Sequence, residues 1–178
     1  LQMAIGSVRL LQKGLELLQL YYLLPNQLII SKKMCNFAVK EKYTMNIYET
    51  FDKLRYHHEN EVVEFKKAEN NFDFDDLGKY FSALSNEANL RDKGFAWLVF
   101  GVHDKSREIL GTSYKNGMKS LQKLKYDLSQ HTTDGNTFRD IFELEVEGKR
   151  VLMLQIPAAP RGIPMAWQGH FYARRGES

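Results

Sequence analysis

Three side chains are of types that can do phosphate or metal chemistry. Glu64 and Lys66 stand two apart in Glu61-Val62-Val63-Glu64-Phe65-Lys66, and Asp104 follows the apolar run that ends at Val102. Alternate side chains of a strand share a face, so Glu64 lies with Lys66, and Val63 with Phe65. If the two strands are neighbours, Glu64 and Asp104 meet at one sheet edge. Carboxylate oxygens suit hard cations such as magnesium or manganese. Such an ion can activate water for phosphodiester cleavage and stabilise the leaving oxygen. Lys66 can hold a phosphate oxygen or a water beside them. The plainer account is a solvated strand and turn, because Asp, Glu and Lys are mostly exposed and the pattern is short.

A second set is basic: Lys66, Lys67, Lys105, Arg107, Arg161, Arg174 and Arg175. Together they can form a strip that contacts backbone phosphates, which gives affinity without sequence preference. Tyr172 and Trp167 can stack on unpaired bases. An ordinary solvated surface with a buried tryptophan accounts for the same residues. Lys115, Lys119, Lys123 and Lys125 read as the wet face of a helix. His57 and His58 are adjacent and point apart, and no zinc-ligand spacing accompanies them. No phosphate-cradling Gly-x4-Gly-Lys-Ser/Thr loop is present.

The elements that position these groups follow from periodicity. Ile47, Phe51 and Leu54 predict a short helix over 46–57. Residues 61–66 read as a strand. Asp73 or Asp75 caps a helix carrying Leu77, Tyr80, Phe81 and Leu84 to about Asn89. The run 95–102 predicts a central strand covered on both faces. A turn follows at 103–106, then a short return strand over 108–112. Met118, Leu121, Leu124 and Leu128 mark another helix. Strands over 138–147 and 150–156 form a hairpin around Gly148. The prolines at 157, 160 and 164 make an irregular loop with Trp167, and 170–174 reads as a last strand. The sum is an α+β domain, a two-layer mixed sheet with two or three packed helices.

Composition sets the class. Of 178 residues, 43% are hydrophobic and 26% charged, which excludes a disordered chain. Cys35 is the single cysteine, so no internal disulfide forms, and a reducing, cytoplasmic setting is expected. The net charge of +3 is uneven. Residues 1–44 hold 6 Lys/Arg and 2 Asp/Glu, whereas 45–178 hold 19 and 20. Any nucleic-acid site in the domain is therefore a local patch. Residues 1–44 are leucine-rich and interrupted by Pro25, too broken for a membrane span. They read as sequence outside the natural domain, since Met34 or Met45 can begin a protein, or else as a helix docked on it.

Several motifs then stand in order: Glu59-x4-Glu64-Phe65-Lys66, Ser82-Ala83-Leu84-Ser85-Asn86, Gly101-Val102-His103-Asp104, Gly111, Val151–Pro157 and Tyr172-x-Arg174-x-Gly176. This succession, from about Met45 to Ser178, resembles the Schlafen AlbA-like domain of bacterial transcriptional regulators and animal Schlafen proteins. Two features depart from the family pattern. Glu87–Lys93 leads to a single glycine, Gly94, where paired glycines are usual, and His103 stands where an acid is usual. Members often continue into an ATPase-like region and a winged helix, so a fragment or a stand-alone version is expected.

The resemblance implies binding of DNA or RNA. In the animal proteins it implies an RNA-cleaving core with three carboxylates, whose matching positions here are Glu59, Glu64 and Asp104. Three readings follow. The first is a nucleic-acid-binding module of a transcriptional regulator, contacting phosphates through Lys66, Lys67, Lys105, Arg107, Arg174 and Arg175 with Tyr172. The second is an endoribonuclease that holds magnesium or manganese on Glu59, Glu64 and Asp104, with Lys66 assisting. The third is an interaction or homo-oligomerisation domain. No membrane partner is expected.

Overall fold

The apolar run after Lys93 becomes the axis of the sheet. In the computed structural model, which describes residues 47–56 and 62–174, strand β2 (Phe95–Phe100) pairs in parallel with β1 (Val63–Lys66). On its other side it pairs antiparallel with β4 (Lys149–Pro157). β3 (Asp140–Val146) lies outside β4, so the order is β1-β2-β4-β3. The expectations for residues 1–44, His57, His58, Glu59 and Arg175 lie outside the described residues. Among those described, no helix is long and apolar enough to cross a membrane.

Both faces of β2 are covered, as an unbroken apolar run requires. Ala96, Leu98 and Phe100 pack under helices α2 (Phe74–Leu90) and α3 (Met118–Ser129), among Leu77, Phe81, Leu84, Leu121, Leu124 and Leu128. Trp97 and Val99 belong to a second cluster with Val63 and Phe65, to which helix α1 (47–56) brings Ile47 and Phe51. Burying about a dozen large side chains on one face of a sheet, at ~25 cal/mol per Å² of apolar area, dominates the stability of a domain this size. Asp73 caps α2: its Oδ1 accepts the Asp76 N–H at 2.9 Å.

Three boundaries depart from the periodic reading, each for a local reason. β2 stops at Phe100 because Gly101 turns at φ +89°, where a Cβ would lie 3.0 Å from the Arg150 carbonyl. The expected return strand over 108–112 reduces to one bridge, Val102 with Ile109. The expected last strand is paired only at β6 (His170–Phe171), against β5 (Ala166–Trp167). Beyond it, Tyr172–Arg174 is held by side chains instead. The β3–β4 hairpin closes on Glu147 and Gly148, with φ of 54° and 71°, a tight two-residue turn.

Trp167 is not a base-stacking platform. It is 1% exposed and lies over the Cα of Gly78, edge-on to Phe74 at 5.3 Å, with its indole N–H donated to Asp75 Oδ1 at 2.6 Å. A Cβ on Gly78 would stand 2.0 Å from the ring. Gly78→Ala should therefore destabilise the domain by about 1–3 kcal/mol through overpacking, despite alanine's better helix propensity. Urea unfolding measures this; an unchanged or raised midpoint would mean that the ring is not seated there.

Candidate functional site

Because β1 and β2 are parallel, their C-terminal ends lie side by side. The carbonyl of Lys66 accepts the Gly101 N–H at 3.0 Å, and that of Lys67 accepts the same N–H at 3.0 Å. Lys66, Lys67 and the loop His103–Asp104–Lys105 thus gather beyond one end of the sheet. In open α/β sheets this end is where ligands bind.

The strand period does place Glu64 and Lys66 on one face, and they bond each other. Lys66 Nζ lies 2.7 Å from Glu64 Oε1, and an Arg174 guanidinium nitrogen lies 2.7 Å from Oε2. Arg174 also donates to the Val63 carbonyl at 2.9 Å. The carboxylate is thus matched by a cation on each oxygen, all three side chains being less than a third exposed. Such half-buried charges persist only when paired and hydrogen-bonded. Burial is the largest influence on the Lys66 ammonium and pulls its pKa down. Hydrogen bonds to Glu64 and Tyr80 outweigh it and leave the group above the ordinary lysine value. The Tyr80 ring lies 4.8 Å away. Since the folded value is raised, this pairing stabilises the fold below the lysine range and is lost as pH rises through it.

Arg174 reaches Glu64 because α2 grips the segment before it. Ser82 donates from Oγ to the Met165 carbonyl at 2.7 Å and accepts the Tyr172 N–H at 3.2 Å. The Asn86 amide donates to the Met165 and Tyr172 carbonyls, both at 3.0 Å, and accepts the Met165 N–H at 2.7 Å. Ser85 donates to the Pro157 carbonyl at 2.7 Å. Small polar residues inside a helix, here Ser82, Ser85 and Asn86, are the signal in the sequence for such a clamp. Tyr80, which the helical period assigns to the apolar face of α2, presents its ring to Lys66.

Asp104 is exposed at the end of the site. Desolvation acts to raise its pKa, but the Lys105 backbone N–H at 2.9 Å and nearby cationic groups, Lys66 among them, leave the carboxyl below its ordinary value. His103, Lys66 and Lys105 all act on the Asp104 carboxylate, and of these Lys66 also bonds Glu64. Lys67 and Lys105 are exposed beside them. Arg107 lies with its guanidinium 4.1 Å from the Phe65 ring, on the opposite face of β1 from Lys66. Tyr172 is half-buried against the α2 core, and Arg161 pairs with Asp92 at 2.9 Å. Glu59 and Arg175 lie outside the described residues.

A metal fits this arrangement poorly. Both oxygens of Glu64 already face a cation at 2.7 Å, and a divalent ion would have to displace Lys66 or Arg174. Among the described residues, three carboxylates converge only at Asp73, Asp75 and Asp76. There Asp73 caps α2 and Asp75 holds Trp167 and Lys79.

Comparison with known proteins adds the following. Residues 59–178 match the family model described as Schlafen, AlbA_2. No curated protein matches the chain. Two of the solved structures similar to it are the following. One is the N-terminal domain of a protein from Nitrosomonas europaea described as related to the ATP-dependent DNA helicase RecG. It is 20% identical, with 73% of this chain and 88% of that one covered and a TM-score of 0.42. The other is the DIP2311 protein from Corynebacterium diphtheriae, 18% identical over 66% of this chain, with a TM-score of 0.45. The match spans 21% of that second chain.

Two outcomes are expected. In Lys66→Met the Asp104 carboxyl should titrate at higher pH than in the parent, because the ammonium that favours its ionised form is gone. A carbon-detected NMR titration of Asp104 reads the shift, and an unmoved midpoint would disconnect the two residues. Asn86→Ala should cost about 1–3 kcal/mol in unfolding free energy and speed amide exchange at Met165 and Tyr172. Retained protection there would mean that the clamp is not what orders this segment.

Proposed function

The chain belongs to the Schlafen AlbA_2 family, and from that premise we propose that it is a nucleic-acid-binding module of a transcriptional regulator, holding backbone phosphates of DNA or RNA beyond the C-terminal ends of β1 and β2. The observation that carries this reading is the pair of cations parked on Glu64. Lys66 and Arg174 are held in place before any ligand arrives, so little side-chain entropy is lost on binding. Lys67 and Lys105 extend the positive rim. Glu64 is here a positioning residue, and phosphate contacts of this kind confer affinity with little sequence preference.

An endoribonuclease using magnesium or manganese on Glu59, Glu64 and Asp104 is the second reading. The shared link through Lys66 favours it, since the ammonium acts on two of the three acids. The two cations on Glu64 count against it, because they stand where a metal would need to bind.

A gel assay separates the readings. The full chain, Glu64→Ala and Lys66→Ala are incubated with labelled structured RNA and duplex DNA, with manganese and with EDTA. The module reading expects binding without cleavage in both conditions. Affinity should fall steeply with salt, and the logarithmic salt slope should shrink by about 1 in Lys66→Ala. Glu64→Ala should weaken binding, because Lys66 and Arg174 lose their anchor. Manganese-dependent cleavage that disappears in Glu64→Ala would overturn this in favour of the nuclease. Absence of both binding and cleavage would favour an interaction or homo-oligomerisation domain.

A further inference from the structure

We propose that His103 contacts phosphate in this interface, its neutral imidazole offering an Nε2–H donor to a phosphodiester oxygen. The inference rests on the nucleic-acid reading above and adds a residue that charge alone would not select.

The loop after β2 is closed by the backbone of His103. Its N–H donates to the Glu108 carbonyl at 2.8 Å, and its carbonyl accepts the Arg107 N–H at 3.0 Å. The side chain closes the loop a second time. The backbone N–H groups of Lys105 and Ser106 both point at His103 Nδ1, each at 3.2 Å. A nitrogen that accepts two N–H donors carries no hydrogen of its own, so the single proton of the neutral ring is on Nε2. The competing arrangement is an Nδ1–H donated to Asp104 Oδ1, 3.3 Å away. It would turn two backbone N–H groups against a third hydrogen. Asp104 Oδ1 also already accepts the Lys105 N–H at 2.9 Å.

With Nδ1 committed to the loop, Nε2 is the polar atom on the ring's far side. The side chain is 29% exposed. The charged residues of its loop are Asp104, on the Nδ1 side, Lys105, Arg107 and Glu108, and Lys66 and Lys105 act on Asp104. A phosphate drawn in by the lysines would find in His103 an uncharged donor of fixed direction. The imidazole supplies geometry, and the lysines supply charge.

Two substitutions divide the ring's two roles. In His103→Asn the amide oxygen stands near the place of Nδ1, keeping the loop bonds but removing the Nε2 donor. In His103→Gln an N–H stands near the place of Nε2, while the Nδ1 acceptor is lost. Binding of labelled structured RNA and duplex DNA is measured across salt on the full chain, with thermal unfolding and ¹⁵N imidazole NMR of the wild type. His103→Asn should weaken binding about tenfold, with the melting temperature and the salt slope unchanged, since an uncharged donor releases no counterion. His103→Gln should melt earlier and bind within about twofold of wild type, the donor being retained. The NMR spectrum should show the Nε2–H tautomer. Wild-type affinity in His103→Asn, or an Nδ1–H tautomer, would overturn the inference while leaving the phosphate-binding reading intact. A wild-type chain that binds neither nucleic acid would remove both.

Discussion

The segment from Ala158 to Arg174 has almost no sheet to belong to, and the structure depends on how its backbone is satisfied. Its pairing is limited to the two-residue strands β5 and β6 and one bridge, Trp167 with Thr132. Buried peptide groups must still find partners. Ala166 and Gln168 donate to Thr133 Oγ1 and to the His131 carbonyl; at Met165 and Tyr172 the partners are side chains of α2, where Ser82 and Asn86 form five hydrogen bonds. Ser85 does the same for Pro157. Helices seldom gain from serine and asparagine in their interior. Here those residues act as a second, side-chain-made ladder, which fixes where the chain goes after the sheet ends.

Everything at the candidate site inherits that constraint. Arg174 lies two residues beyond the last clamped residue and meets Glu64 across 110 positions of sequence. The geometry must be good, because charges taken partly out of water recover their desolvation only through close partners. Lys66 meets the same requirement from within its own strand. The result is a carboxylate that orients two cations and, through Lys66, influences Asp104 at the end of the neighbouring strand. Near neutrality of the region from 45 onward is consistent with this. Any positive patch must therefore arise from arrangement rather than from an excess of basic residues.

The loop His103–Glu108 shows the same economy on a smaller scale. One nitrogen of the His103 imidazole is committed to two backbone N–H groups. An acid could accept the same bonds but would leave the loop more negative.

Much of this was written in local pattern. Alternation placed Glu64 with Lys66 and Val63 with Phe65. The unbroken run after Gly94 marked the central strand, Asp73 was a candidate cap, and Gly148 marked a hairpin. Each follows from the backbone periods of 2 and 3.6 residues and from the conformations open to glycine, which are properties of a few neighbouring residues. Tertiary structure alone decided that Lys66 would hold Glu64 rather than stand ready beside it, and that Arg174 would complete the group. It also decided that Trp167 would be sealed over Gly78 instead of exposed, and that α2's serines and asparagine would grip the returning chain. Apart from the Lys66–Glu64 pair, those contacts join residues 72 to 110 positions apart. Periodicity carries no information about which distant backbone passes a given side chain; that depends on the strand order β1-β2-β4-β3 and on where the chain crosses α2.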